Sequence, residues 1–376
     1  MTQKKILFLT GTRADFGKIK SLIQILESDE NFEVFVFVTG MHLQKEYGYT
    51  LLEIERCKFS NVYTFENFTH ETTMDLTLAK TIEGLSGYIK EIKPDMIVVH
   101  GDRVETLAGA IVGSLNNILV AHIEGGEISG TVDELIRHSV SKLSHIHYVS
   151  NKLARRRLMQ MGEIAESIRI IGSPDIDVMF SEKLPDLLKV KTYYEIEFDT
   201  YAIAMFHPVT TEFSLMRNHA QEFVKAILND DRNYVIVYPN NDLGSKIIME
   251  EIFTLKGNSR FRLIPSLRFE YFLTLLKNAS FIIGNSSAGI REAPYYGVPV
   301  INIGTRQNNR AEDSQILNVD YSYKEITQAL QETQFISKGN AIREFGDGNS
   351  ANKFLESLEK LDIWKLDKQK QFRDLV

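Results

Sequence analysis

Acidic side chains follow two apolar segments in the first half of the sequence and could donate or accept protons. Asp102 comes just past a predicted strand at 95–100, whose centre is apolar, and Glu124 follows a predicted strand at 118–122 and precedes two glycines. The glycines let the backbone approach another group closely, and a carboxylate at that place is hard to explain by structure alone. For Asp102, the alternative is an N-cap of the next helix. Clustered carboxylates push their pKa values apart, so one can be protonated while another acts as a base.

A third carboxylate, Asp133, lies four residues before Arg137, which places both side chains on one face of a predicted helix. The alternative for this pair is a solvated ion pair on the helix surface. Thr131 and Glu134 match a capping box, which predicts that Glu134 stabilises the start of the helix.

Residues 284–289, Gly-Asn-Ser-Ser-Ala-Gly, follow an apolar run and open a predicted helix in the second half. The N–H groups at a helix start attract anions, so Ser286 marks a candidate phosphate site; an ordinary N-cap is the alternative. Arg13 in the first half could reach a diphosphate, and His207 could donate to a phosphate or a leaving group. A solvated arginine and a strand-end histidine before Pro208 are the alternatives. Together with the carboxylates, these residues favour acid/base chemistry on a phosphorylated sugar.

The sequence predicts neither a metal nor a cofactor. His145 and His147 would share one face of a strand, with His138 nearby, but no third ligand follows at a suitable spacing, so core or interface histidines are favoured. The first glycine turn, 11–15, is neither Gly-x-Gly-x-x-Gly nor a P-loop, so no dinucleotide or ATP site is predicted.

Composition excludes several classes of function. The chain has 376 residues, of which 43% are hydrophobic and 25% charged, values typical of a globular protein long enough for two domains. A net charge of −7 gives no general attraction to nucleic acid or anionic lipid. The single cysteine, Cys57, and the absence of a signal-peptide core or a membrane-length apolar run predict a cytoplasmic protein with no nucleic-acid or membrane partner.

Apolar runs and helical patterns alternate along the chain, which predicts parallel strands joined by crossover helices. Strands are expected at 4–10, 33–39, 95–100, 118–122, 147–150, 168–172, 201–206, 234–238, 261–264, 281–284 and 300–303. Helices are expected at 16–28, 73–92, 105–115, 214–228, 246–255, 269–277, 288–296 and 352–368, with a linker at 173–200. The predicted fold class is α/β with two Rossmann-like domains, whose ligands bind beyond the carboxyl ends of the strands.

Short segments spread over most of the chain carry a family resemblance. They are Gly11-Thr12-Arg13-Ala14-Asp15, His100-Gly101-Asp102-Arg103, His122-Ile123-Glu124-Gly125-Gly126-Glu127, Asp133, Ile136-Arg137-His138, Phe206-His207-Pro208-Val209-Thr210, Pro239-Asn240-Asn241-Asp242, Gly284-Asn285-Ser286-Ser287, Arg291-Glu292, Ile303-Gly304-Thr305-Arg306-Gln307 and Gly346-Asp347-Gly348-Asn349. In this order they resemble the UDP-N-acetylglucosamine 2-epimerase family, specifically its hydrolysing branch in sialic acid synthesis.

The resemblance implies two Rossmann-like domains that face across a cleft, as in GT-B glycosyltransferases, with UDP held mainly by the second. The domains are expected at 1–175 and 176–350, and a C-terminal helix within 351–376 is expected to pack on the first domain. The resemblance assigns the phosphates to Arg13, His207, Ser286 and Ser287, the ribose to Glu292 and the nucleotide region to Asn240. It assigns the sugar end to Asp102, Glu124, Asp133 and Arg137.

The implied reaction converts UDP-N-acetylglucosamine and water into N-acetylmannosamine and UDP through 2-acetamidoglucal, without a cofactor, in a homodimer or homotetramer. Arg13, His207 and the helix start at Ser286 and Ser287 would assist the departure of UDP. A sister branch acts on UDP- or GDP-linked 2,4-diacetamido-trideoxy sugars of legionaminic acid synthesis. That branch tends to have histidine where this chain has Glu124, which favours the N-acetylglucosamine enzymes.

Two further alternatives use the same nucleotide-binding residues. A GT-B glycosyltransferase would need an acceptor but no cluster of three carboxylates in the first domain. A nucleotide-sugar sensor would bind without catalysis, and the presence of Asp102, Glu124 and Asp133 argues against it.

Overall fold

A computed structural model describes residues 3–68, 73–128, 132–181, 184–307, 316–333, 339, 345–360 and 362–374. The chain divides into two compact units. The first comprises Met1–Glu127, Asp133–Ser181 and Glu344–Val376, and the second comprises Ile128–Val132 and Glu182–Arg343.

The first unit contains a parallel sheet, for which the described residues supply seven strands. The strands are β1 (Lys4–Thr10), β2 (Phe32–Val38), β3 (Val62–Thr64), β4 (Met96–His100), β5 (Leu119–Ile123), β6 (Ile146–Val149) and β7 (Ile168–Ile170). Their order, β3-β2-β1-β4-β5-β6-β7, reverses direction between β1 and β4, as in doubly wound α/β sheets. The prediction of a Rossmann-like first domain is confirmed.

Helices cover both faces of this sheet. They are α1 (Arg13–Glu27), α2 (Leu51–Glu55), α3 (Met74–Ile92), α4 (Val104–Leu115), α5 (Val132–Leu143), α6 (Lys152–Gln160) and α7 (Pro174–Met179). Neighbouring residues of β1 point to opposite faces, so Phe8 lies in one buried cluster with Leu22 of α1 while Leu7 lies in another with Leu85 of α3. Burial on both faces explains why the strands are continuously apolar rather than alternating.

The second unit repeats this architecture with six strands in its described residues. They are β8 (Ala202–Met205), β9 (Tyr234–Val237), β10 (Phe261–Ile264), β11 (Ile282–Gly284), β12 (Val300–Ile303) and β13 (Ile316–Val319). The helices are α8 (Leu187–Tyr194), α9 (Met216–Leu228), α10 (Ser245–Phe253), α11 (Phe269–Asn278), α12 (Ala288–Arg291) and α13 (Tyr323–Glu332). The order β10-β9-β8-β11-β12-β13 reverses between β8 and β11, which confirms the second Rossmann-like domain. Among the residues described, none of the helices has both the length and the apolarity needed to cross a membrane.

The segment expected to be a linker, 173–200, holds two helices that belong to different units. Helix α7 packs against α1 in the first unit, and α8 packs against α11 in the second. The first unit therefore extends to Ser181, six residues past the boundary expected at 175.

The last helix of the chain, α14 (Ser350–Leu358), belongs to the first unit. Its Phe354 is fully buried and meets the ring of Tyr148 edge-on, with centroids 4.8 Å apart. The carboxylate of Asp177 accepts hydrogen bonds from the first N–H groups of α14, at 2.8 Å each, and so caps the helix. The helix ends at Leu358, before the expected end at 368, and a single 3₁₀ turn, Ile363–Lys365, follows.

Candidate functional site

The sequence-predicted residues follow strands on either side of the point where each sheet reverses. In the first unit, the turn containing Arg13 follows β1 and Asp102 follows β4. In the second unit, His207 follows β8 and the Ser286 turn follows β11. Ligands of open α/β sheets bind at such points, beyond the carboxyl ends of the strands.

Glu124 is a buried carboxylate with a defined partner for each oxygen. One oxygen accepts a hydrogen bond from the Ser173 hydroxyl, and the other lies 3.1 Å from His100 Nε2. The side chain is 2% exposed. The residue has a left-handed backbone with a φ of +63°, which is uncommon for a residue with a side chain and costs conformational energy. The turn after β5 thus holds this carboxylate in one orientation at the edge of the sheet.

A buried arginine joins the turns after β4 and β5. Arg137 on α5 forms an ion pair with Asp102 and donates from Nη1 to the backbone oxygen of Glu124 at 2.7 Å. The same Nη1 lies 3.8 Å from a Glu127 carboxylate oxygen. Because the Arg137 side chain is 4% exposed, the alternative of a solvated surface pair is excluded for this residue. The structure therefore brings together three predicted residues, Asp102, Glu124 and Arg137.

Asp133 lies one helical turn before Arg137 on α5 and is 8% exposed. Its burial also argues against a solvated surface role. Thr131, the expected N-cap, lies outside the described residues, so the capping box is not observed. Glu134 lies 3.3 Å from His138 Nε2, one turn further along the helix.

Three more polar residues contact Glu124 or lie beside it, and sequence reasoning did not select them. They are His100, Ser173 and Lys18, of which Lys18 Nζ lies 3.9 Å from Glu124 and 3.1 Å from a carboxylate oxygen of Asp175. Lys18 could have been recognised in the sequence as a lysine on the apolar stripe of α1, four residues before the buried Leu22.

The turn around Arg13 is organised by Asp15. The Asp15 carboxylate accepts hydrogen bonds from the N–H groups of Gly11 and Thr12, at 3.0 Å each, and the Thr12 hydroxyl accepts from the Asp15 N–H. This capping box starts α1 directly at Arg13. Arg13 lies 3.7 Å from the carboxylate of Glu53, and its side chain is 16% exposed.

In the second unit, Asn285 ties the turn after β11 to the turn after β8. Its buried side chain accepts from the His207 N–H at 2.6 Å and donates to the His207 carbonyl at 2.9 Å. His207 Nδ1 accepts from the backbone N–H of Asn240 at 3.1 Å. The neutral imidazole therefore carries its proton on Nε2, from which it can donate to a ligand.

Ser286 and Ser287 lie at the start of α12, which has only four residues. The expected helix 288–296 breaks after Arg291 into a 3₁₀ turn because Pro294 lacks the N–H that an α-helix needs. The Ser286 hydroxyl accepts from the Ala288 N–H at 3.3 Å, whereas the N-cap position of α12 is Ser287, whose side chain makes no capping hydrogen bond. Glu292 follows the helix and is 4% exposed.

Two residues after β12 reach the same turn and were not selected from the sequence. Arg306 Nη1 and Gln307 Nε2 donate to the carbonyl oxygen of Asn285, at 3.2 and 2.8 Å. A single carbonyl thus joins Arg306 and Gln307 to the candidate phosphate turn.

The histidines considered as metal ligands have other partners. His145 accepts from the Val120 N–H at 3.0 Å, and His147 Nε2 lies 3.0 Å from a Glu163 carboxylate oxygen. Within the described part of the chain, no group of three or more histidine, cysteine, aspartate or glutamate residues is arranged to hold a metal ion.

Removing the Asn285 side chain is expected to destabilise the second unit. The variant Asn285→Ala leaves the buried N–H and carbonyl of His207 without these hydrogen bonds, which costs about 2–4 kcal/mol in the free energy of unfolding. Urea unfolding measures the loss. The matched variant Asn302→Ala removes a buried asparagine that bonds to the Asn318 side chain, and we expect a smaller loss there. Equal losses of unfolding free energy in the two variants would show that the Asn285 hydrogen bonds to the His207 backbone contribute no more than those of an ordinary buried asparagine.

Acidification is expected to destabilise the first unit through two buried histidines. Burial lowers the pKa of His122 to about 3 and that of His42 to about 4. The unfolded chain binds these protons below pH ~6.5, so this stability is present above that pH and is lost as the pH falls. For each histidine, the free energy of unfolding is expected to fall by about 1 kcal/mol as the pH is lowered from ~7 to ~5.5. Urea unfolding of His122→Gln should show a weaker pH dependence than the wild type, and an unchanged dependence would contradict this account.

Comparison with known proteins identifies the family. A model of the family described as UDP-N-acetylglucosamine 2-epimerase matches residues 24–359 of the chain. A Neisseria meningitidis serogroup B protein named UDP-N-acetylglucosamine 2-epimerase is 49% identical over 99% of both chains.

Two other relatives carry more specific names. A Legionella pneumophila protein named UDP-N,N'-diacetylbacillosamine 2-epimerase (hydrolyzing) is 33% identical, over 96% of this chain and 97% of that protein. An Escherichia coli protein named polysialic acid biosynthesis protein P7 is 31% identical, over 89% of this chain and 88% of that protein.

The fold also matches a solved structure. A crystal structure of a UDP-GlcNAc 2-epimerase from Neisseria meningitidis, bound to UDP-GlcNAc, matches with a TM-score of 0.79 at 20% identity, over 94% of this chain and 99% of that chain. The two parallel-sheet α/β domains are thus those of a GT-B-like fold. On the family match and the 49% relative, the chain belongs to the UDP-N-acetylglucosamine 2-epimerase family.

Proposed function

We propose that this protein is a hydrolysing UDP-N-acetylglucosamine 2-epimerase, which converts UDP-N-acetylglucosamine and water into N-acetylmannosamine and UDP. The observation that carries the proposal is the clustering of Asp102 and Glu124 around buried Arg137, which pairs with the Asp102 carboxylate and donates to the backbone oxygen of Glu124. Ser173 and His100 contact the carboxylate of Glu124 itself. Carboxylates fixed in this way are suited to moving a proton to and from carbon.

The first unit is proposed to act on the sugar ring. A carboxylate removes the proton from C2, and the electron pair of that C–H bond forms the C1–C2 double bond as the bond from C1 to the UDP oxygen breaks. Water then adds its oxygen to C1, its proton goes to a carboxylate, and C2 receives a proton on the opposite face. Asp102, Glu124 and Asp133 are the proposed acid and base groups, and Arg137 is proposed to hold the first two in position.

The second unit is proposed to hold UDP. His207 carries a donor on Nε2, and a hydrogen bond from this group to a phosphate oxygen would stabilise the charge that develops on the leaving UDP. Ser286 and Ser287 are proposed to donate to the diphosphate, together with Arg13. Glu292 is proposed to accept from the ribose hydroxyls, and Asn240 to contact the nucleotide.

Two of the relatives support the hydrolysing activity and its biological setting. The Legionella relative is named as a hydrolysing 2-epimerase, and the Escherichia coli relative is named for polysialic acid biosynthesis. N-acetylmannosamine is the product that sialic acid synthesis would use. Glu124 and the name of the 49% relative favour UDP-N-acetylglucosamine over the diacetamido-trideoxy substrate. We also propose that the protein works in the cytoplasm as a homodimer or homotetramer.

Phosphorus NMR of the purified protein with UDP-N-acetylglucosamine, without an acceptor sugar, tests the proposal. We expect the diphosphate ester signals to be replaced by those of free UDP. Formation of UDP-N-acetylmannosamine would instead indicate epimerisation without hydrolysis, and a requirement for an acceptor would indicate a glycosyltransferase. Faster turnover of the UDP-linked diacetamido-trideoxy sugar would move the protein to the sister branch.

A further inference from the structure

A lysine near the end of the chain, Lys370, is bound to the first unit by three hydrogen bonds. After the 3₁₀ turn Ile363–Lys365 the chain continues as an exposed tail, but the Lys370 side chain points inward and is 27% exposed. Its ammonium group lies 2.6 Å from the carbonyl oxygen of Ser144 and 3.3 Å from that of Ser141. Ser141 lies in the last turn of α5 and Ser144 follows the helix directly, at the end where helix carbonyls lack partners within the helix and the helix dipole attracts a cation.

A buried carboxylate completes the binding site for this ammonium group. Glu163, with a side chain 2% exposed, accepts from Lys370 at 2.6 Å and from Lys142 at 2.7 Å. His147 Nε2 lies 3.0 Å from the same carboxylate. Burial raises the pKa of Glu163, but the hydrogen bonds and the nearby cations hold it well below its ordinary value, so the group stays ionised.

The tail has two further attachments, one through its backbone and one through a side chain. His145 uses Nδ1 to accept from a backbone N–H, so its Nε2 carries the proton and donates to the carbonyl oxygen of Lys368 at 3.1 Å. The side chain of Gln369 donates to Asn117 at 2.9 Å. Within the exposed tail, Lys370 therefore provides the charged side chain that points towards the first unit.

Hydrogen bonds continue from the lysine to the turns that carry the carboxylates. Ser141 bonds through its hydroxyl to His122 Nδ1 at 3.0 Å, and His122 Nε2 donates to the carbonyl of Gly101, at 2.8 Å. Gly101 immediately precedes Asp102. A Cβ on Gly125 would lie 2.8 Å from His122 Nδ1 and 2.9 Å from the Ser141 hydroxyl. The backbone of the turn after Glu124 therefore packs directly against the hydrogen bond between Ser141 and His122.

We propose that Lys370 is a positioning residue for the reaction: by binding the end of α5, it keeps Ser141 and His122 in place and thereby holds Asp102 and Glu124 in their working orientation. The expected effect of Lys370 on turnover rests on the proposed function. The effect on the structure does not, because the chain of hydrogen bonds exists independently of the substrate.

The variant Lys370→Met removes the ammonium group and keeps most of the side-chain volume. We expect kcat per UDP-binding site to fall about ten-fold, the effect of a small misplacement of reacting groups, while KM for UDP-N-acetylglucosamine changes little. A role in stability alone would reduce the number of UDP-binding sites and leave kcat per site unchanged, which would overturn the inference. Lys368→Met is the matched control, because that side chain is exposed and only its backbone is bonded.

A double-mutant cycle tests the route through Ser141. If Lys370 acts through Ser141, then Ser141→Ala combined with Lys370→Met should lower kcat no further than the larger single effect. Losses that multiply would indicate two independent roles and contradict the proposed route.

Hydrogen exchange separates the failure of this inference from the failure of the proposed function. We expect the amides of 120–127 and 134–144 to exchange faster in Lys370→Met than in Lys368→Met. Should the wild type have no epimerase activity, the proposed function fails, and the exchange result still decides whether Lys370 holds these turns. Equal exchange in the two variants would overturn the inference.

Discussion

Replacing Glu124 with glutamine is expected to lower kcat by about 10³-fold, within the range for the loss of a general acid or base. Glutamine has the same shape, and the Ser173 hydroxyl can rotate to accept from its amide group, so the turn should keep its structure. The lost property is the ability to take up a proton. Steady-state assays of UDP release measure the effect.

The affinity for UDP provides the control for this variant. The residues proposed to bind the diphosphate lie mostly in the second unit, so the Kd for UDP should change by about two-fold or less, as expected for a substitution that leaves the binding groups intact. The same substitution at Glu134, whose partner His138 lies on the helix surface, should leave kcat near the wild-type value. A Glu124→Gln variant with wild-type kcat would remove Glu124 from the proposed mechanism.

The second large effect is expected for Asp102→Asn, with a fall in kcat of about 10²–10³-fold. Asparagine keeps an oxygen that can accept from Arg137 but loses the negative charge opposite a guanidinium that is 4% exposed. We therefore also expect a decrease in the free energy of unfolding of about 1–3 kcal/mol, because the buried cation loses the counter-charge of Asp102 and keeps that of Glu127, 3.8 Å away. Assays of UDP release and urea unfolding measure the two effects separately.

A second variant distinguishes the role of charge from the role of position. Asp102→Glu keeps the counter-charge for Arg137 but moves the carboxylate by one methylene group. Stability should be largely restored, whereas kcat should remain low because a displacement of about 1 Å is enough to lose 10²-fold in rate. If Asp102→Glu restored both, Asp102 would serve only as the counter-charge of Arg137.

The strands that position the candidate site could be predicted because both of their faces are buried. The predicted strand 4–10 is continuously apolar from Ile6 to Leu9, and β1 covers the same residues, 4–10. The edge strands β3 and β13 lack this signal. All three residues of β3 are exposed, and the outer strand β13 is only partly buried, so neither was recognised.

The structure brings predicted residues together where they follow a strand. Asp102 and Glu124 were selected because a carboxylate after a buried strand stands out in the sequence. Lys18 and Ser173 were missed because their proximity to Glu124 depends on how α1 and α7 pack, over separations of 106 and 49 residues. Such contacts have no local pattern.

The clearest error at the candidate site has a local cause. The helix expected over 288–296 was extended through Pro294 on the strength of its apolar residues, although proline cannot donate to the helix ladder. Only one α-helical turn follows Ser287. Phosphate binding at this turn would therefore depend on the hydroxyl and N–H groups of the turn itself and on His207, more than on a helix dipole.

The most direct test of the proposed chemistry is proton NMR of the reaction with UDP-N-acetylglucosamine in D₂O. Removal of the C2 proton and its return from solvent on the opposite face predict free UDP and N-acetylmannosamine that carries deuterium at C2. N-acetylmannosamine with hydrogen retained at C2, or a product still attached to UDP, would contradict the mechanism.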